Sequence, residues 1–138
     1  MDININADGG SRGNPGPAAI GIVATSENGK VLQECKEYIG ITTNNVAEYK
    51  ALIKSLEIAV KIGAAVVTII MDSELVIKQM NGTYKVKAKH LREYYEKVKM
   101  LEKRFVKVVY KNVSRNEKTQ SMADALVNEA LNEKLDEK

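Results

Sequence analysis

Alternation opens the chain. Ile3, Ile5 and Ala7 are apolar, with Asn4 and Asn6 between them, the period-two pattern of a strand with one buried face. Asp8 follows at the expected strand end, before a loop from Gly9 to Pro17 that holds four glycines and both prolines of the chain. Residues 18–25 form a second apolar run containing Gly21, the pair Asn28-Gly29 signals a hairpin turn, and residues 31–39 return as a third strand closed by Gly40. The period then changes. Thr42 to Asn45 is a helix-start cluster, and over 46–62 the residues Ala47, Ala51, Ser55, Ala59 and Ile62 share one helical face with Leu52 and Leu56. Gly63 ends that helix. Residues 65–71 are nearly all apolar, as in a central strand covered on both sides. Asp72-Ser73 then starts a short helix to about residue 80. A basic, irregular stretch over 83–89 leads into a helix over 88–104 carrying Leu91, Tyr94, Tyr95, Val98 and Leu101, with Phe105 on the same side. A fifth strand over 106–113, a polar loop over 114–120 and a last helix from about 122 follow; the tail 136–138 is expected to fray. The order βββαβααβα predicts one α/β domain over 1–138: a five-stranded mixed sheet, three strands in an antiparallel meander and two parallel, with helices on both faces.

Composition narrows the class. With 138 residues, 44% hydrophobic and 28% charged, the chain can bury one sizeable core. No apolar run approaches the roughly 20 residues of a membrane span, and no signal-peptide pattern opens the chain, so a cytoplasmic protein is expected. A single Cys35 cannot form an internal disulfide, and with one histidine, His90, there is no Cys/His cluster for zinc. Net charge is only +3, but residues 78–104 hold nine basic residues against three acidic ones. A phosphate-contacting surface and a solvated, ion-paired helix face both fit that stretch.

Four carboxylates fall at similar places. Asp8 and Asp72 end strands, and Glu48 and Asp124 lie in the expected first turns of helices. A right-handed crossover would bring the ends of the first and fourth strands side by side. Each acid also has a local reading: Asp8 as a turn acceptor, Asp72 as a helix cap, and Asn45-x-x-Glu48 and Ser121-x-x-Asp124 as capping boxes. Taken together they suit a hard cation such as Mg²⁺, which needs only a few carboxylates beside water and phosphate oxygens.

At this point the sequence resembles the type 1 ribonuclease H family over nearly its whole length. The motifs are Asp8-Gly9-Gly10-Ser11-Arg12-Gly13-Asn14-Pro15-Gly16-Pro17, Thr43-Asn44-Asn45-Val46-Ala47-Glu48, Asp72-Ser73 after an apolar strand, and Ala123-Asp124-x-Leu126. The resemblance implies hydrolysis of the RNA strand of RNA–DNA hybrids with two Mg²⁺ ions (Mn²⁺ as a substitute), leaving 5′-phosphate and 3′-hydroxyl ends. It implies Asp8 as the shared ligand, Asp72 and Glu48 each serving one metal, and Asp124 completing the shell. By the same resemblance Asn14, Asn44 and Asn45 read 2′-hydroxyls, Thr43 holds a DNA phosphate, and Gly9 and Gly10 let the RNA backbone come close. Ser73, Lys85, Lys87 and Arg115 complete the expected substrate contacts. Double-stranded RNA is a further candidate substrate, and no obligate protein partner is expected.

The chain departs from the family in three ways. Loop residues 114–121 lack the histidine many members carry; Val113-Ser114-Arg115 is instead similar to members with Val-x-Arg there. Those members place Asn four residues before the last acid, where this chain has Gln120. There is also no tryptophan, so the Trp-rich basic protrusion of some relatives is missing. A non-catalytic nucleic-acid-binding module and an exonuclease of the same fold are the competing readings.

Overall fold

The computed structural model describes residues 1–136; the fraying expected of Glu137 and Lys138 lies outside the described residues. Five strands, β1 (Asp2–Ser11), β2 (Gly16–Ser26), β3 (Val31–Thr42), β4 (Val66–Met71) and β5 (Lys107–Asn112), form one sheet in the order β3-β2-β1-β4-β5. The first three pair antiparallel, and β1–β4 and β4–β5 pair parallel, as the pattern predicts. The helices are α1 (Asn44–Ile62), α2 (Glu74–Met80), α3 (Lys89–Glu102) and α4 (Lys118–Leu135). Among the described residues no helix is long and apolar enough to cross a membrane.

The two sheet faces are unequal. Ile3, Ile5, Ala7, Ile20 and Ile22 face α1, whose Ala51, Leu52, Leu56 and Ala59 are buried against them, and α3 adds Leu91 and Val98. Of the stripe expected on α1, Ala47, Ala51, Ser55 and Ala59 are fully buried and Ile62 is half-buried, and the Ser55 hydroxyl is absorbed by donating to Ala51 O at 2.7 Å. On the opposite face α4 covers a smaller cluster of Ala19, Val127, Ala130 and Leu131, edged by Tyr38.

Four boundaries differ from the local reading. β1 does not end at Asp8 but runs to Ser11, because β2 lies alongside and keeps the ladder in register to Ser11–Ala18. Pairing overrides the turn preference of the glycines, and only residues 12–15 are loop, with a cis Asn14–Pro15 bond. α1 begins at Asn44, capped by Thr43 Oγ1 accepting from Val46 N at 3.3 Å, so no Asn45–Glu48 capping box forms and Glu48 lies a turn further in. α4 begins at Lys118, four residues earlier than expected. Its cap is Glu117, whose carboxylate accepts from Thr119 N and Gln120 N, so Ser121 is inside the helix and Asp124 in its second turn. α3 in turn stops at Glu102, which leaves Phe105 beyond the helix.

Candidate active site

Two glycines decide where the helices touch the sheet. A Cβ on Gly9 would stand 2.3 Å from Ala47 O and 2.7 Å from Glu48 N. Only glycine lets the α1 backbone lie this close to β1, and the contact is made at Glu48 itself. Gly21 is the register partner of Asp8, and a Cβ there would stand 2.2 Å from Ala123 O. That approach seats α4 one residue before Asp124. Asp8 lies in β1 between the two contacts. Asp72 follows the last residue of β4, the parallel neighbour of β1, and the next residue, Ser73, caps α2 by accepting from Val76 N at 3.3 Å.

The four carboxylates therefore line one cleft of about 240 Å³, shared with Gly9, Gly10, Asn44 and Arg115. Burial, then the Asp72 charge, then a hydrogen bond and charge from Asp124 push the Asp8 carboxyl from 3.8 up to about 8. Burial pushes Glu48 from 4.5 up to about 7, opposed by a hydrogen bond from Ser73 and reinforced by Asp72. Asp8 and Glu48 are thus both raised by loss of water and by neighbouring charge. Arg115 Nε lies 3.6 Å from Asp72 Oδ2 at the rim, the one ion pair to any of the four among the described residues. Among the described residues no three Asp, Glu, His or Cys side chains form a ready-made metal cage. The arrangement is an open set of oxygen donors with excess negative charge. That donor set fits Mg²⁺, which keeps several waters and takes phosphate oxygens as further ligands.

The asparagines first serve as staples. Asn14 Oδ1 accepts from Asn44 N at 3.0 Å and Asn44 Oδ1 accepts from Ser11 N at 3.2 Å, tying the 12–15 loop, α1 and β1 together. Asn45 is half-buried beside them and Thr43 is the helix cap. The space left by the missing Gly9 side chain is taken by the α1 backbone, while Gly9 itself lines the cleft together with Gly10, which has room around it. Lys85 and Lys87 are not brought to the acids: both are exposed between α2 and α3, with Lys85 on a separate groove beside Tyr84 and Arg92.

Sequence reading passed over Ser11, Arg12 and Asn128, which also line the acid cleft. Arg12 Nη2 donates to Asn128 Oδ1 at 3.4 Å, and Asn128 Nδ2 donates to Asp124 O at 3.1 Å. Ser11 Oγ is the buried side-chain polar atom that lacks a partner among the described residues. The available signals were membership of the first motif for Ser11 and Arg12 and, for Asn128, its place one helical turn after Asp124.

Such a sheet, with an acid in its central strand and others carried to it from both faces, defines an α/β protein of the ribonuclease H-like fold. The family described as Reverse transcriptase-like matches residues 6–130. Bifunctional protein Rv2228c of Mycobacterium tuberculosis is 47% identical over 132 residues, covering 95% of this chain and 36% of that protein. The structure of RNase H1 from the archaeon Halobacterium salinarum NRC-1 agrees with a TM-score of 0.92 at 40% identity, covering 96% of this chain and 99% of that one. LC11-RNase H1, solved in complex with an RNA/DNA hybrid, gives 0.91 at 46% identity with the same coverage. The chain belongs to the type 1 ribonuclease H family. It spans 36% of the length of the curated mycobacterial relatives it matches.

Proposed function

We propose that this protein is a divalent-metal-dependent endonuclease that hydrolyses the RNA strand of RNA–DNA hybrids, leaving 5′-phosphate and 3′-hydroxyl ends. The observation that carries the reading is the convergence of Asp8, Glu48, Asp72 and Asp124, from β1, α1, the β4–α2 turn and α4, on one cleft. The likeness to LC11-RNase H1, whose structure holds an RNA/DNA hybrid, supports the substrate class. Clustered carboxylates repel phosphate, so a module that only bound nucleic acid would gain nothing from them.

In this reading Asp8, Glu48, Asp72 and Asp124 would hold Mg²⁺, or Mn²⁺ in its place. When bound, such ions supply a nucleophilic water and positive charge for the reacting phosphate. Ser73 orients the Glu48 carboxylate. Asn14 and Asn44, whose amide oxygens are fixed by the staple, present their NH₂ groups to 2′-hydroxyls, the groups that separate RNA from DNA. Asn45 reads the same hydroxyls, Thr43 a DNA phosphate, and Gly10 lets the RNA backbone close in. Arg115 exchanges Asp72 for a substrate phosphate oxygen, and Lys85 and Lys87 contact backbone further out. We also read the described residues as one domain, since every helix packs on the same sheet or on a helix that does, and place its work in the cytoplasm.

The test is cleavage of labelled RNA–DNA hybrid, duplex RNA and duplex DNA over a titration of Mg²⁺ or Mn²⁺. Internal cuts in the RNA of the hybrid, lost in Asp8→Asn, are expected; cuts only from an end point to an exonuclease. An inert wild type, or undiminished cutting by Asp8→Asn, sinks the proposal.

A further inference from the structure

One buried polar rung crosses the thin face between β1 and α4. Asn6 and Gln120 are 2% and 0% exposed. Asn6 Nδ2 donates to Gln120 Oε1 at 3.1 Å and to Glu117 Oε2 at 3.4 Å, and Gln120 Nε2 donates to Ala7 O at 2.9 Å. The Glu117 carboxylate meanwhile caps α4. The rung thus joins the strand that carries Asp8 to the helix start that carries Asp124.

Its position is the informative feature. Asn6 precedes Asp8 by two residues, so both side chains leave β1 on the same face. Gln120 precedes Asp124 by four, so both lie along one stripe of α4. Two strand residues advance about 6.7 Å and four helical residues about 6 Å. Asn6–Gln120 and Asp8–Asp124 are therefore consecutive steps between the same two elements. The β1–β4 ladder ends at Asn6–Ile70, and Gln120 takes up the next β1 carbonyl, Ala7 O, where the strands part and the cleft opens.

Apolar burial alone holds α4 weakly in register. It is non-directional, and the cluster here is Ala19, Val127, Ala130 and Leu131. A two-pronged amide pair is directional, and a slip of the helix would leave buried groups unpaired. We propose that Asn6 and Gln120 are a positioning pair that sets the rotation and axial register of α4 and thereby holds Asp124 opposite Asp8. The activity arm of its test rests on the nuclease reading; the other arms do not.

The deciding variant is Asn6→Leu with Gln120→Met, which replaces both side-chain amides by apolar groups of similar size, nearly neutral for their mutual bond, and leaves Ala7 O as the backbone acceptor that loses its donor. A merely structural rung predicts wild-type behaviour once the melting temperature is retained. A positioning rung predicts three changes. Calorimetric Mn²⁺ binding to the protein alone weakens about tenfold or more, as when ligand-orienting groups are lost. Amide exchange over residues 118–124 accelerates. The kcat for hybrid cleavage falls while KM for the hybrid holds. Gln120→Asn, shorter by one methylene, is the second variant should the double one fail to fold, with the same three changes expected. A folded variant with wild-type Mn²⁺ affinity and wild-type exchange overturns the proposal. A wild type that leaves hybrids uncut defeats the nuclease reading instead, and the exchange arm still decides the rung.

Discussion

The two faces of the sheet deliver one acid each to Asp8, and they do it differently. On the α1 face Glu48 is set by bulk: Ile3, Ile5, Ile22, Leu52, Leu56 and Ile69 are all at 2% exposure or less, and Gly9 lets the helix sink onto the strand. On the α4 face Asp124 is set by a small apolar cluster, the contact at Gly21, the Asn6–Gln120 rung, and an exposed ion pair from Lys36 to Glu133 at 2.5 Å. A large core resists displacement whatever its chemistry. A thin one needs directional bonds to hold a helix in a single place, and that is where buried amides are found.

The comparison is broken most severely by truncating each core. Leu56→Ala should lower unfolding free energy by about 3–5 kcal/mol and Leu131→Ala by about 2–3 kcal/mol, because the thinner face can collapse around the gap. Urea titration of both variants checks this, and equal losses would show the faces to be equally packed. Next come the glycines. Gly9→Ala and Gly21→Ala should each cost about 1–3 kcal/mol, since backbone stands where the new methyl must go. Both should also lose hybrid cleavage, through displacement of Glu48 in one case and Asp124 in the other.

A pH effect of about 1–2 kcal/mol is expected next. The folded Asp8 carboxyl titrates near 8 against an ordinary 3.8, and Glu48 near 7 against 4.5. Folding therefore takes up protons. The stability linked to these groups is fully present below pH about 4 and is lost as pH rises through about 7 to 8. In chelator-treated protein Asp8→Asn should be more stable than wild type at pH 8 and should flatten the profile, and Mg²⁺ should restore the wild type. A profile unchanged by the substitution would count against mutual repulsion in the cleft. The smallest effect belongs to Lys36→Ala, a slight drop in melting temperature that vanishes in high salt, because the pair is solvent-exposed.

Much of this was legible in the chain. The alternation through Ile3–Ala7, the small-residue stripe of α1, the apolar run of β4 and the four acid-bearing motifs all report on neighbours a few residues apart, and those elements formed as expected. Errors gathered where a distant partner outvoted a local preference. Gly9 and Gly10 read as loop but are held in a strand by β2. Ser121 read as a cap but lies within α4, because Glu117 satisfies the helix N-terminus first. Gln120 stood out only as a departure from the family pattern, and Asn6 only as the polar half of an alternation.

The sequence by itself determined the element order, the mixed sheet and the identity of the four carboxylates, since periodicity, turn chemistry and motif spacing are properties of short segments. Tertiary structure alone decided that Gly9 and Gly21 are the contact points of two helices. It also decided that Arg115 pairs with Asp72 and that Asn6 meets Gln120 across a separation of 114 residues. The physical reason is burial. A polar or missing side chain acquires its meaning from what is packed against it once water has gone, and no local pattern records that neighbour.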